Sequence, residues 1–316
     1  MSRLLERLRS YGFLLLLNSF FRLFLIRIYR VFKINRFVIR KIYDYKMFLD
    51  IYDIGLSYQL IKYRKRELDH KFILERILNE GDVVLDIGAN IGYYALMELN
   101  LIGKDGRLIA VEPSPENVSL LKKNISLNNK DKNCRIVSGA ISSKTGKEKF
   151  YLSYASNLNT FHNYGSVSEH LSGETIDVNT YTVNDILSDS EKKAGLDLIR
   201  MDVEGHEVDV LNGMINDIKT GLLAPSIIFE THISRYNKKN NMILTLTKFF
   251  DLGYKARYMA SSWREGTEKI CRYGYKPLSY IKTDGVVRAI FENISNEDAI
   301  DIICNSGGAR TVLLTR

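Results

Sequence analysis

A chain of 316 residues has room for one large α/β domain with an appendage, or for two small domains. An apolar share of 45% with only 21 Gly and 4 Pro excludes a disordered or collagenous chain. The formal net charge of +8 is unevenly placed: residues 1–50 hold 11 Lys/Arg against 3 Asp/Glu, while the remaining 34 basic and 34 acidic residues cancel. A neutral body gives a nucleic-acid partner no electrostatic support. Cys134, Cys271 and Cys304 lie far apart without C-x-x-C spacing, which argues against a disulfide framework and a zinc site, and for a reducing compartment.

The basic excess defines an N-terminal arm, residues 1–47, set apart from a body at 48–316. The arm mixes bulky apolar residues with cations. On a helical wheel Arg7, Asn18, Arg22, Lys33, Arg36 and Arg40 share one side, with Arg30 and Lys41 at its margin and Arg9 and Arg27 opposite. Such an amphipathic cationic helix suits a membrane interface. Packing on the body or on a second subunit, as a homodimer contact, is the competing reading. A spanning helix is disfavoured because Asn18, Ser19, Arg22 and Arg27 interrupt the apolar window, and mid-span Arg costs roughly 2.5–3.5 kcal/mol each. No small-residue cleavage site follows the apolar run, so a cleavable signal peptide fits poorly. The location expected is cytoplasmic, peripheral at the inner face of a membrane.

In the body, residues 62–78 read as a helix with Phe72, Ile73, Ile77 and Leu78 on one face, stopped at Asn79-Glu80-Gly81. A strand at 83–87, a helix from Gly92 to about 101, a strand at 107–111 and a Ser114-capped helix follow. A third strand covers 134–137. Residues 142–180 break the alternation: Lys144-Thr145-Gly146-Lys147 reads as a hairpin turn, and the polar stretch 157–172 as a loop or lid. Strands at 196–201 and 226–229, helices just after Gly205 and near 242–252, and strands near 254–258 and 285–291 complete the chain. This alternation predicts a mostly parallel sheet with helices on both faces.

Val83-Val84-Leu85-Asp86-Ile87-Gly88-Ala89-Asn90-Ile91-Gly92 is a strand running into a glycine turn and a helix, the way an α/β domain builds a nucleotide crevice. The spacing, Asp-x-Gly-x-x-x-Gly, lacks the third glycine of a dinucleotide loop. A carboxylate at the loop head suits a ligand bearing positive charge, and S-adenosylmethionine, with its ammonium and sulfonium, is one. Ligands in open parallel sheets lie beyond the carboxyl ends of the strands. There the sequence places Asp86, Glu112, Ala140, Asp202 and Glu230. Glu112 can accept hydrogen bonds from both ribose hydroxyls of a nucleoside.

Asp202-Val203-Glu204-Gly205-His206-Glu207 crowds three carboxylates and an imidazole after a buried strand. Crowding of this kind raises some carboxyl pKa values and keeps an imidazolium charged. A carboxylate or His there can take the proton from an acceptor hydroxyl. Helix capping is the plainer role for Asp202 or Glu204, and more so for Glu207. Glu230-Thr231-His232 adds an acid and an imidazole at the next strand end. Asp202, Glu204, Glu230 and His232 offer ligands to Mg²⁺, but no spacing fixes that geometry and no metal is assigned. His70, His162 and His170 read as surface or loop residues.

Asp86-Ile-Gly-Ala-Asn-Ile-Gly-Tyr-Tyr, then Val111-Glu112-Pro113, then Asp202-Val-Glu204-Gly205-His-Glu207 through Leu211-Asn-Gly213, resemble the FkbM-type S-adenosylmethionine-dependent methyltransferases over about residues 48–292. The resemblance implies a Rossmann-like class I methyltransferase fold, a mostly parallel seven-stranded sheet with helices on both faces, and O-methylation of a saccharide, glycan or related small-molecule hydroxyl. It implies cofactor contacts at Glu67, Asp86, Gly88, Asn90, Gly92, Glu112, Ala140 and Asp202. Catalytic roles fall to Asp202, Glu204, Glu230 and His232. His206 departs from the small residue common at its place, and the arm lies outside the shared region. An NAD-dependent oxidoreductase and a non-catalytic membrane-associated nucleoside-binding scaffold are the alternatives.

Overall fold

The computed structural model describes residues 13–163 and 165–316. Helix α1 (Phe13–Val31) leads into a hairpin, β1 (Phe37–Lys41) and β2 (Lys46–Asp50), whose residues pair across residue 47. Then come α2 (Leu56–Tyr63), α3 (Leu68–Ile77), β3 (Val83–Ile87), α4 (Tyr93–Leu101), β4 (Arg107–Glu112), α5 (Pro115–Leu127) and β5 (Cys134–Ser138). A small sheet of β6 (Ala140–Ile141), β7 (Gly146–Ser153) and β8 (Leu171–Tyr181) interrupts the alternation. It resumes with α6 (Val183–Ile186), α7 (Asp189–Ala194), β9 (Leu198–Met201), α8 (Glu207–Lys219), β10 (Ser226–Glu230), α9 (Met242–Asp251), β11 (Lys255–Ser261) and α10 (Arg264–Arg272). The chain finishes with β12 (Ser279–Thr283), β13 (Val286–Ile294), α11 (Asn296–Cys304) and β14 (Ala309–Thr315).

The main sheet has the order β12-β13-β11-β14-β10-β9-β3-β4-β5. Strands β5, β4, β3, β9 and β10 are parallel neighbours, and β14 enters antiparallel between β10 and β11. The seven strands read from the sequence are β3, β4, β5, β9, β10, β11 and β13. The sheet holds nine because β14, unread in the sequence, inserts between β10 and β11, and β12 pairs antiparallel with β13 at the edge.

Alternation along each strand builds two cores. Leu85, Ile87, Val111, Met201 and Phe229 face α6, α8, α9 and α11, while Val84, Ala110, Leu198 and Ile228 face α2 to α5. Burying each of the large apolar side chains among these, Ala110 apart, contributes about 1.5–3 kcal/mol. The switch from period 2 to period 3.6 at Gly88–Gly92 places the end of β3 between the two cores, and the cavity opens there.

Several elements depart from their sequence reading. The helix expected over 62–78 is two helices broken at 64–67, where Arg64 and Glu67 adopt left-handed backbone (φ +67° and +50°). Tertiary bonds compensate: the Glu67 and Leu68 N–H groups donate to Asp284 Oδ2 and Thr283 Oγ1, both at 3.0 Å. Residues 144–147 form no hairpin, since β6 and β7 lie on opposite edges of β8 and the chain must cross its end. The loop read at 157–172 carries two 3₁₀ turns and gives way to β8, whose Ile176, Val178 and Thr180 alternate inward among polar neighbours. Its Thr/Ser-rich sequence hid that period.

The arm differs as well. Helix α1 stops at Val31, and Arg36, Arg40 and Lys41 belong to the turn and strand beyond it. Arg22 and Arg30 turn inward, to the Lys62 and Ile51 carbonyls at 3.1 and 2.6 Å, and Ile26 is buried. The side facing away from the body carries Phe20, Phe21 and Phe24, 60–64% exposed, with exposed Arg27 and Val31. Arg7 and Arg9 lie outside the described residues. No helix among the described residues is long and apolar enough to cross a membrane.

Candidate active site

The cavity lies over the carboxyl ends of β3, β4 and β9 and is roofed by residues 156–161, in the connection between β7 and β8. Glu67, Gly88, Asn90, Glu112, Ala140, Asp202 and Glu204 line it, together with Tyr94, Phe161, Arg200 and His206. Seven of the residues singled out from sequence therefore converge. Asp86 and Gly92 stand behind the wall, and Glu230 and His232 stand beside it.

Gly88 makes the β3 turn possible. Its φ is +79°, and a Cβ there would meet the Asp202 carbonyl oxygen at 2.3 Å. Gly213 on α8 serves close approach instead, since a Cβ would meet the Ser142 carbonyl at 2.7 Å. Gly92 begins α4 at φ +93°.

Glu112 ends β4 with both carboxylate oxygens engaged. Oε2 accepts the Asn90 N–H at 2.9 Å; Oε1 accepts the Ser114 N–H at 3.0 Å and the Asn117 amide at 3.1 Å. Burial pushes its pKa up to about 7 against the pull of these donors. Asn90 Nδ2 and Asn117 Nδ2 each reach the Ser156 carbonyl at 3.3 Å, which pins the roof to the β3 and β4 side of the cavity.

Asp86 is fully buried, and its charge is answered from within: Arg200 Nη1 stands 3.0 Å from Oδ1. Arg200 Nη2 is 3.4 Å from Asp202 Oδ2, and its guanidinium stacks at 4.0 Å on Tyr94. Asp86, Asp202 and Tyr94 hold Arg200 firmly protonated despite burial. Arg200 escaped the sequence reading, although residues 200 and 202 of a strand share a face. The Tyr94 hydroxyl donates to Glu67 Oε2 at 2.6 Å. Arg66 and Arg310 also pair with Glu67, and their charges hold its carboxyl below the usual range although it is buried.

At the β9 and β10 ends the acidic motif closes on His232. Its Nδ1–H donates to Glu207 Oε1 at 2.8 Å, and Nε2 lies 3.6 Å from Glu204 Oε2 and 4.0 Å from Asp202 Oδ1. Glu207, fully buried, also accepts the Gly205 N–H at 3.2 Å. It therefore anchors an imidazole, a role beyond the capping read from its position. Neither Asp202 nor Glu204 caps α8, whose N-cap makes no side-chain hydrogen bond. Glu207, Glu204 and Glu230 raise the His232 pKa well above its ordinary value. Burial, abetted by Asp202 and Glu207, pushes Glu204 up to about 7, and burial pushes Glu230 up to about 8. The charged imidazolium expected in this region is thus His232, while burial drives His206 down toward the neutral form. One ligand atom from each of Asp202, Glu204 and His232 lies within 4.8 Å of the others, a spacing that a divalent cation could bridge.

His206 Nε2 is 3.1 Å from Ser142 Oγ, and its ring stacks on Phe161 with centroids 4.4 Å apart. His70 and His162 are not simple surface residues: His70 is buried with its ring 4.6 Å from that of Tyr94, and His162 is half-buried 6.2 Å from His206. His170 is exposed.

The sequence model of the methyltransferase FkbM domain matches residues 86–275. The chain belongs to the FkbM methyltransferase family. Residues 86–275 are thus part of an S-adenosylmethionine-dependent methyltransferase domain, a family that favours this cofactor over the NAD-dependent alternative. Among curated proteins, protein-L-isoaspartate O-methyltransferase 1 of Archaeoglobus fulgidus is 41% identical over 49 residues, 16% of this chain and 23% of that one. Among solved structures, an FkbM methyltransferase from Methylobacillus flagellatus is 13% identical with a TM-score of 0.36, covering 74% of this chain and 53% of that one. TYW2 of M. jannaschii in complex with AdoMet is 18% identical with a TM-score of 0.40, covering 82% and 88%. The chain thus spans about a quarter of the curated relative and about half of the first of these structures.

Proposed function

We propose that this protein transfers a methyl group from S-adenosylmethionine to a hydroxyl of a saccharide, glycan or related small-molecule acceptor, working at a membrane surface. The observation that carries the reading is Glu204 at the cavity wall, with His232 beside it and Glu207 behind His232. That is a proton acceptor near neutrality, oriented by a buried pair. The donor set suits the cofactor. Glu112 offers carboxylate oxygens to ribose hydroxyls, Ile87, Val111, Ile141 and Phe150 give an apolar wall for a base, and Asp202 and Glu67 present negative charge to cationic groups. When bound, S-adenosylmethionine supplies a methyl carbon made electrophilic by its sulfonium.

The chain's own residues supply the rest. Glu204 accepts the acceptor's hydroxyl proton as the oxygen attacks. The His232 imidazolium, fixed by Glu207, orients the Glu204 carboxylate and offsets the charge of Asp202. The 156–161 roof excludes water and, with His206 and Phe161, presents ring faces against which a sugar's C–H face can pack. The membrane part of the reading rests on the outward Phe20, Phe21 and Phe24 of α1 with Arg27 among them. A homodimer would cover the same face.

The test is label transfer from methyl-tritiated S-adenosylmethionine by the full chain into fractionated cell extract. Label in glycan or glycolipid fractions, lost with Glu204→Gln, supports the proposal. Label confined to RNA or protein overturns the acceptor class. No label, with S-adenosylhomocysteine bound, would favour the scaffold.

A further inference from the structure

Arg310 lies beyond the residues that the family model matches, yet it reaches the site from β14. Its backbone is fixed between neighbours: the Thr231 N–H donates to the Arg310 carbonyl at 2.7 Å, and the Thr231 hydroxyl to the Ala309 carbonyl at 2.9 Å. From there the guanidinium divides between two carboxylates. Nη2 lies 2.8 Å from Glu67 Oε1 and Nη1 2.7 Å from Glu230 Oε1. Glu67 lines the cavity, whereas neither Glu230 nor Arg310 does. Glu67 belongs to the break between α2 and α3, and Glu230 ends β10 two residues before His232. One planar group therefore joins the cofactor wall to the strand end that carries the imidazole.

We infer that Arg310 is a positioning residue that couples the cofactor carboxylate Glu67 to the acceptor-side carboxylate Glu230; this rests on the proposed cofactor site. The chemistry suits positioning and not proton transfer, because a guanidinium stays charged and only donates. A lysine could not replace it: two carboxylates on separate elements need the rigid fork, and an ammonium is a point charge on a flexible stem. Of the remaining partners of Glu67, Tyr94 takes Oε2 and Arg66 shares Oε1 with Arg310, but neither reaches Glu230, so Arg310 alone of these partners spans both carboxylates. If Glu67 shifts when the cofactor binds, Arg310 must follow, and Glu230 with it.

The experiment is a double-mutant cycle on S-adenosylhomocysteine affinity, by calorimetry on the full chain. Arg310→Lys is expected to weaken binding by about tenfold, and Glu230→Gln by several-fold although Glu230 does not line the cavity. In the Arg310→Lys background, Glu230→Gln should have no further effect. Millimolar methylguanidine should restore binding to Arg310→Ala, which a general packing defect would not allow. Additive effects, or a silent Glu230→Gln, overturn the inference. Should the Arg310 variants fail to fold, the cycle of Glu67→Gln with Glu230→Gln decides in their place, because a coupled pair is non-additive and an independent pair is additive. Should the native chain bind no S-adenosylhomocysteine, the cofactor reading fails. The same Glu67/Glu230 cycle read in urea midpoints then still reports whether Arg310 joins them.

Discussion

Arg200 and Asp86 form an ion pair closed off from solvent, the arginine side chain 4% exposed and the aspartate 0%. The carboxylate at the head of the glycine turn therefore does not line the cavity. It holds the arginine that in turn contacts Asp202 and the Gly88 carbonyl, both at 3.4 Å. The loop that shapes the cavity and the strand end that carries the acidic motif are tied through this pair. Glu98 lies nearby with no hydrogen-bond partner for its carboxyl among the described residues, and burial pushes its pKa well up.

Breaking this pair is expected to unfold the site. Arg200→Met leaves Asp86 buried without its counter-charge, which costs about 3–5 kcal/mol, whereas Arg200→Met with Asp86→Leu should recover much of the loss. Urea denaturation measures both. A single variant as stable as the native chain would show that the pair is not structural.

Glu112 predicts the pH dependence of cofactor binding. Its folded pKa is raised to about 7, so it gains a proton as the pH falls through neutrality and offers one fewer acceptor. Affinity for S-adenosylhomocysteine should fall toward about tenfold per pH unit below that point, and Glu112→Gln should flatten the profile. The stability linkage has the opposite use of the same shift. A raised carboxyl contributes stability that is full below its unfolded pKa and lost as the pH rises through about 7.

Glu204 should govern the chemical step. Methyl transfer is expected to rise with pH through about 7, as its carboxyl ionises. Glu204→Gln should lower kcat by roughly 10²–10⁴ with S-adenosylhomocysteine affinity little changed. Glu207→Gln should lower kcat by a smaller factor, acting through His232. A pH–rate profile unaltered by Glu204→Gln would remove Glu204 from the mechanism.

Gly88→Ala is expected to close the turn. The left-handed backbone costs an L-residue roughly 1–2 kcal/mol, and the added Cβ would drive into the Asp202 carbonyl. Loss of S-adenosylhomocysteine binding, measured by calorimetry with folding checked by circular dichroism, is the expected result.

The α1 face predicts lipid dependence. The full chain should sediment with vesicles containing anionic lipid and less with neutral ones, since each Lys or Arg near an anionic surface contributes about 1 kcal/mol. Phe20→Ser with Phe24→Ser should release it. If the chain stays in solution with both vesicles and scatters light as a dimer that the same variant dissociates, the face is a subunit contact.

What the sequence determined is local. Periods of 2 and 3.6 residues mark β3, α4, β4, α5, β9 and β10 within a residue or two. A loop of small residues after a buried strand marks the crevice, and the strand-end carboxylates Glu112, Asp202 and Glu230 follow from topology. What the tertiary structure decided is every relationship between distant segments. Glu67 and Arg310 are 243 residues apart, and neither carries a local sign of the other. Arg22 and Arg30 read as members of a cationic face suited to a membrane interface, but the carbonyls at 62 and 51 draw them inward and leave the phenylalanines outside. The helix read through 64–67 breaks because Thr283 and Asp284 offer its N–H groups better partners than the next turn would. Hydrogen-bond and charge satisfaction in a buried site is settled by whichever groups the fold brings near, and periodicity along the chain carries no record of them.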